Sequence, residues 1–229
     1  MLKKGGMTMR RLNLVAGVML MGLLLISAAG CGGGTGEGGT FGSAETLTYE
    51  AWDDYRKGSD PKKAEDLFNN ALNLDPTHSD ALNGLGWLIF RNAAQADAQE
   101  QTQLLDAAKT NFQKATFADP ENVDAWVGLA GVQLVQGNWQ AAANSASTAL
   151  SLDSRFFSIH DNIDYRNVHL ILAEAYFFLG SFEHSEATPD PNNTLHHLDV
   201  LSPGFKKLYR DDELTPPDLI LKIEELQRP

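Results

Sequence analysis

Asn70-Ala71-Leu72-Asn73-Leu74-Asp75-Pro76, Lys114-Ala115-Thr116-Phe117-Ala118-Asp119-Pro120 and Thr148-Ala149-Leu150-Ser151-Leu152-Asp153-Ser154 are three versions of one seven-residue stretch. Each reads as the end of an amphipathic helix stopped by Asp-Pro or Asp-Ser. Matched small or aromatic residues lie upstream of each stop: Ala64 and Phe68, Ala108 and Phe112, Ala142 and Ala146. The three aspartates are 44 and then 34 residues apart. Self-similarity at such a period signals stacked supersecondary units, and it decides the fold.

The segment before each of these helices repeats as well. Leu82, Leu85-Gly86 and Ile89 correspond to Trp126, Leu129-Ala130 and Gln133, and then to His169, Leu172-Ala173 and Tyr176. A degenerate copy is Thr48, Ala51-Trp52 and Tyr55. Spacings of three, four and seven place these residues on one helical face. The Gly or Ala within that face admits a partner helix closely, and Gly137 and Gly180 stand where the first helix of a pair turns into the second.

The pattern resembles the tetratricopeptide repeat (TPR), a 34-residue helix–turn–helix unit, with the best copy running from Trp126 through Gly137, Ala142 and Ala149. The resemblance implies an all-α, right-handed α–α superhelix of about four helix pairs, at 45–78, 79–122, 123–156 and 166–202. Insertions fall at about 92–101 and 157–165. The first is expected to lengthen its helices or widen their turn, and the second interrupts the stack. The fourth copy loses register in the Pro-rich stretch Thr188–Asn193. In the segment 203–229, Thr215-Pro216-Pro217-Asp218 followed by Leu219, Ile220, Ile223 and Leu226 reads as a capped amphipathic helix closing the last repeat.

Residues 1–30 have the layout of a secretory signal. Lys3, Lys4, Arg10 and Arg11 lead into the apolar run Leu12–Ala29, and Ser27-Ala28-Ala29-Gly30-Cys31 follows. Ala28-Ala29-Gly30-Cys31 resembles the lipobox of bacterial lipoproteins, with Ala28 where that family most often carries Leu. The resemblance implies cleavage before Cys31, lipid on its sulfur and amine, and, with Gly32 rather than Asp next, sorting to the outer membrane. The competing reading is an uncleaved membrane anchor, because this uncharged, largely apolar stretch of 18 residues reaches the lower end of spanning length. Against it, the one cysteine of the chain falls where a lipobox requires it. Residues 31–44 then comprise the lipidated cysteine and a Gly-rich tether, which would hold the body roughly 20 Å from the lipid.

The 229 residues carry a net charge of −12. Four of the 18 cations precede the apolar run, which leaves 14 against 30 carboxylates, or −16, from residue 31 onward. So acidic a body makes nucleic acid a poor partner. A single cysteine excludes an intramolecular disulfide and multi-cysteine metal sites. No H-E-x-x-H or G-x-S-x-G motif and no Cys–His pairing appears, so neither a catalytic centre, a cofactor nor a metal is expected. His160, Asp161 and Asp164 could touch a cation but read better as a solvated loop, and the adjacent His196 and His197 point apart on a helix. His184 with Glu186 reads as a surface pair.

Trp52, Phe68, Phe112 and Trp126 occupy expected core positions. A second stripe, displaced by one residue, contains Trp87 and Phe90, Val127 and Leu134, and Leu170 and Phe177. In the family the inner face of each first helix lines a groove, and a basic clamp for acidic chaperone tails needs Lys and Asn there. This chain instead has Tyr49/Asp53, Asn83/Trp87, Val127/Gly131 and Leu170/Glu174. The expectation is a partner-binding groove lined by Trp87, Phe90, Leu134, Phe177 and Phe178, with Arg91 at its edge. Its ligand would be a helix or extended segment of another envelope protein. The competing expectation is that the insertion 155–165 or the terminal helix 217–227 folds back over the stripe. A lipid-anchored periplasmic scaffold follows from the first. The alternative is an accessory subunit for export or uptake of a small molecule or polysaccharide, which a polar groove would favour.

Overall fold

The computed structural model describes residues 42–58, 60–182, 191–210 and 215–228. The signal-like segment, Cys31, the tether and the pair His184/Glu186 lie outside them. The described residues form ten helices: α1 (Ala44–Lys57), α2 (Pro61–Leu74), α3 (Ser79–Ala93), α4 (Ala98–Ala118), α5 (Val123–Val135), α6 (Trp139–Leu152), α7 (Tyr165–Leu179), α8 (Thr194–Leu201), α9 (Phe205–Arg210) and α10 (Pro216–Leu226). Consecutive helices pack as pairs, and α1, α3, α5 and α7 also touch one another in sequence, forming a continuous layer of first helices. This is the all-α, TPR-like solenoid.

The repeated stop is a repeated conformation. Asp75, Asp119 and Asp153 have φ/ψ of −136°/96°, −138°/99° and −143°/102°. Each carboxylate then accepts a backbone N–H two residues on, from Thr77, Glu121 and Arg155, at 2.9 Å in all three. An Asx turn of this kind ends a helix and aims the chain into the next one. Side-chain caps start most helices: Asp60, Asp97, Asn122 and Asn193 each accept from the first turn. Gly137 and Gly180, at φ 74° and 75°, make the left-handed turns that close α5 and α7.

The second pair differs from its neighbours in length. α4 has 21 residues against 14 in α2 and α6, so most of the extra sequence is helix. The fourth pair is uneven, with α7 at 15 residues and α8 at 8. α10 packs on α7 and α8, its start fixed by Asp218, which accepts from the backbone N–H and hydroxyl of Thr215.

Two rings set the spacing of the pairs. A Cβ at Gly84 would stand 2.2 Å from the Phe68 ring, one at Gly86 2.8 Å from Phe112, and one at Gly128 2.3 Å from Phe112. Phe112 is therefore wedged between two first helices, α3 and α5, which only glycine permits. Gly128→Ala is expected to lower stability by roughly 1–3 kcal/mol through overpacking. Trimming the ring as well, in Gly128→Ala with Phe112→Leu, should cost less than the sum of the single changes. Urea midpoints for the four proteins check this, and strict additivity would mean that the ring does not sit there.

Candidate functional site

The insertion after α6 is a small hairpin. Tyr165 N–H donates to Phe156 O at 2.7 Å and Ser158 N–H to Ile163 O at 2.8 Å, with Phe157 and Asp164 paired in antiparallel fashion. Its tip does not hang in solvent. It folds back across the first-helix layer onto α1 and α5. The His160 imidazole lies flat on the Trp52 indole, 3.7 Å between centroids and 5° between planes. Tyr55 OH donates to Asp161 Oδ2 at 2.6 Å.

The floor of this contact is polar. Asn83 Nδ2 donates to Asp124 Oδ2 at 2.8 Å, and Trp52 Nε1 to Asp80 Oδ1 at 3.0 Å. The Arg91 guanidinium covers the Tyr55 ring at 3.8 Å, with both terminal nitrogens 3.5 Å from Tyr55 O. Burial raises the Asp124 carboxyl to about 6, against the opposing Asn83 and Ser158 hydrogen bonds. Burial likewise raises Asp161 and Asp80, and lowers His160 to about 4 with help from the Arg56 charge. Two buried polar atoms here, Asn83 Oδ1 and His160 Nδ1, have no hydrogen-bond partner. Each such atom costs on the order of 1–3 kcal/mol.

At the far end of the layer α10 supplies the cover. Gln227 Nε2 donates to Glu174 Oε2 at 3.0 Å, and Glu174 is fully buried. Burial outweighs that hydrogen bond and lifts the Glu174 carboxyl to about 8, so it is protonated at neutral pH. On another face of α7, His169 faces His197 of α8, Nδ1 to Nδ1, at 2.9 Å. Burial lowers His169 to about 4 and holds His197 well below the usual imidazole range, so both rings are neutral. Among the described residues no group of three or more His, Cys, Asp or Glu side chains is arranged to hold a metal ion.

The stripe expected to form an open groove is mostly interior. Trp87 is 4% exposed, Phe90 7% and Leu134 1%. Trp87 meets Phe112 edge-on at 5.4 Å and Phe90 at 6.1 Å, so both rings belong to the same core that spaces the pairs. Arg91 is engaged by Tyr55 rather than standing free at a groove edge. Phe177 and Phe178 are half-buried, and Phe178 stacks on Trp139 of α6 at 4.4 Å. The physical cause is the Phe112 ring, on which Trp87 packs, while the hairpin seats on Trp52 and Tyr55 and α10 packs on α7 and α8. The loop residues weighed for a cation have separate duties, His160 on Trp52, Asp161 on Tyr55, and Asp164 as the cap of α7 through Arg166 N–H. Trp126, placed in the core from sequence, is only half-buried and donates to Pro120 O. Sequence reading missed Tyr55, Asp124 and Gln227 as partners. A signal existed for Glu174 alone, a single acid inside the apolar run Ile171–Phe178.

A cleft of about 690 Å³ lies beside α6 and α7, lined by Gln140, Asn144, Ser147 and Thr148 of the former and Tyr176 and Leu179 of the latter. Its lining carries no formal charge.

Two outcomes follow from this burial. Trp87→Ala should cost roughly 3–5 kcal/mol, as large core truncations do, and an unmoved denaturation midpoint would return the side chain to the surface. Glu174 titrates near 8 when folded and near the ordinary 4.5 when unfolded. Above 4.5 the unfolded chain releases this proton first, so stability falls as pH rises and levels off above about 8. His160, His169 and His197, with the ordinary 6.5 when unfolded, and Asp124, near 6 when folded, complete their changes only by about pH 7.5. Between about pH 7.5 and 9, Glu174→Gln should therefore flatten the decline and raise the melting temperature at about pH 8 by roughly 3–6 °C. A parallel decline in variant and wild type would refute the assignment.

Comparison with known proteins agrees with the repeat pattern. The tetratricopeptide repeat family model matches residues 93–154. A thermophilic TPR protein of Thermus thermophilus superposes over 80% of this chain and 81% of its own, with a TM-score of 0.54 and 17% identity. An O-GlcNAc transferase variant of Thermobaculum terrenum aligns over 68% of this chain with a TM-score of 0.47 and 21% identity, and the chain spans only 25% of its length. No curated protein matches the chain. The fold is that of the tetratricopeptide-repeat solenoids, and residues 93–154 carry the sequence pattern of that repeat.

Proposed function

We propose that the protein is a lipid-anchored periplasmic scaffold that holds another envelope protein through its helical solenoid, without catalysis of its own. The observation that carries the binding role is the stacked repeat itself, a fold whose regular layers present extended surfaces to partners. Support for the anchor comes from Ala28-Ala29-Gly30-Cys31 behind a basic and then apolar segment. Lipid on Cys31 would tether the body to the membrane, with the outer membrane facing the periplasm as the site implied by Gly32. An acidic body of −16 is repelled by anionic lipid, so attachment falls to the anchor rather than to the surface. The partner is a helix or extended segment of another protein, in a process such as envelope or outer-membrane assembly.

A second reading draws on the cleft beside α6. Its amide and hydroxyl side chains, with no charge among them, suit the hydroxyls of a neutral sugar, as an accessory subunit for export or uptake would require.

Cys31→Ser should abolish labelling by a fatty-acid analogue and leave the precursor, or a differently cleaved form, in place of the mature protein. Unchanged labelling and unchanged extraction by detergent would refute the anchor. Crosslinking in intact cells followed by purification through the protein should recover one envelope protein in stoichiometric amount. Recovery of a saccharide-handling complex, with binding lost in Asn144→Ala, would favour the second reading.

A further inference from the structure

At the base of the hairpin 156–165, Phe156 and Ile163 pack on the core, but its tip is inverted. There Phe157 and Ile159 are 63% and 72% exposed, while Ser158, His160 and Asp161 are turned inward. Hydrophobic burial would favour the reverse. What holds the tip is a set of directional contacts: a ring stacked on Trp52, a carboxylate accepting from the Tyr55 hydroxyl, and a serine beside Asp124. The Arg91 guanidinium covers the far side of the Tyr55 ring and lowers the cost of the Asp161 carboxylate against the Tyr55 hydroxyl. Tyr55 and Asp161 are 106 residues apart, so the contact reaches past the neighbouring repeats. This is how a solenoid receives a ligand, rather than how it stacks its own units.

The seat is also imperfectly filled. Asn83 Oδ1 in the floor and His160 Nδ1 in the hairpin remain without partners. A segment that met those atoms would displace the hairpin, whose advantage is its tethering to the same chain.

We infer that the hairpin is an internal ligand occupying a peptide-recognition socket formed by Trp52, Tyr55, Asn83, Arg91 and Asp124. The external ligand is a protein segment in which a flat, uncharged ring residue is followed directly by an acidic one. The ring lies on Trp52, the carboxylate meets Tyr55, and the released hairpin presents Phe157 and Ile159 to the bound partner. The inference rests on the scaffold reading and specifies what the scaffold recognises.

The test uses the full-length protein in detergent. A fluorescein-labelled cyclic peptide of residues 155–166 is titrated against wild type and against a variant with His160→Gly and Asp161→Gly, in which the seat is left open. The variant should bind the peptide at least tenfold more tightly than wild type. That gain should disappear when the peptide carries Asp161→Asn or when the protein also carries Tyr55→Phe. Equal binding by wild type and variant, or indifference to the peptide's Asp161, overturns the inference. Amide exchange gives an answer independent of the peptide. Tyr55→Phe alone should speed exchange at residues 158–163 at least tenfold with α2 to α6 unchanged, and an unchanged hairpin again overturns it. If cellular crosslinking still captures a partner while the peptide neither binds nor competes, this inference fails and the scaffold reading stands.

Discussion

Phe112 rests on two glycines that belong to different repeats, Gly86 of its own pair and Gly128 of the next. Because a single methyl group at either would collide with the ring, the distance from α3 to α5 is fixed by the thickness of one phenyl group. Phe68 over Gly84 sets the preceding step in the same manner. The third pair has Ala146 where the first two have Phe68 and Phe112, and Ala142, Ala146, Ala130 and Ala173 are all fully buried, so α6 meets its neighbours largely through small side chains, with Trp139 on Phe178 at its start. The order of the layers follows from these seats. Close packing at that density leaves little room for sliding, which is why the stripe containing Trp87 and Leu134 has nowhere to go but inward.

Periodicity made the solenoid readable. Asp75, Asp119 and Asp153 repeat in sequence because they repeat in backbone conformation, and local chemistry of that kind is written in the residues themselves. The covering of the stripe was not readable in the same way. A period states which residues share a face, and it is silent about which ring of a neighbouring helix will be wedged against that face. Trp87 and Phe90 therefore looked like surface aromatics when they are neighbours of Phe112. Asp80 and Asp124 would pass as ordinary first-turn acids favoured by the helix dipole. Only the folded arrangement turns Asp80 toward the Trp52 indole and Asp124 toward Asn83.

The acidity of the chain has two layers of meaning. Most of the carboxylates are solvated and keep a highly negative body apart from its neighbours. Asp124, Asp161 and Glu174 lie inside, where burial works against their charge. Each is placed at one of the two segments that close over the first helices, while among the packed pairs the buried polar contacts are uncharged, as between Ser145 and Gln133.

A repeat array is ordinarily a one-dimensional object, in which an end unit can fray while the middle stays intact. The hairpin changes that topology, because it ties α1 to the chain that follows α6 and turns the first three pairs into a closed loop of contacts. Fraying of the first pair then has to break the seat on Trp52 and Tyr55 as well as one neighbour interface. Such a loop unfolds as a unit, raises the contact order, and slows folding relative to an open array of equal length. It also gives the molecule a mechanical character. Tension between the N-terminal and C-terminal ends loads the hairpin first, so the clasp sets the force at which the array begins to extend.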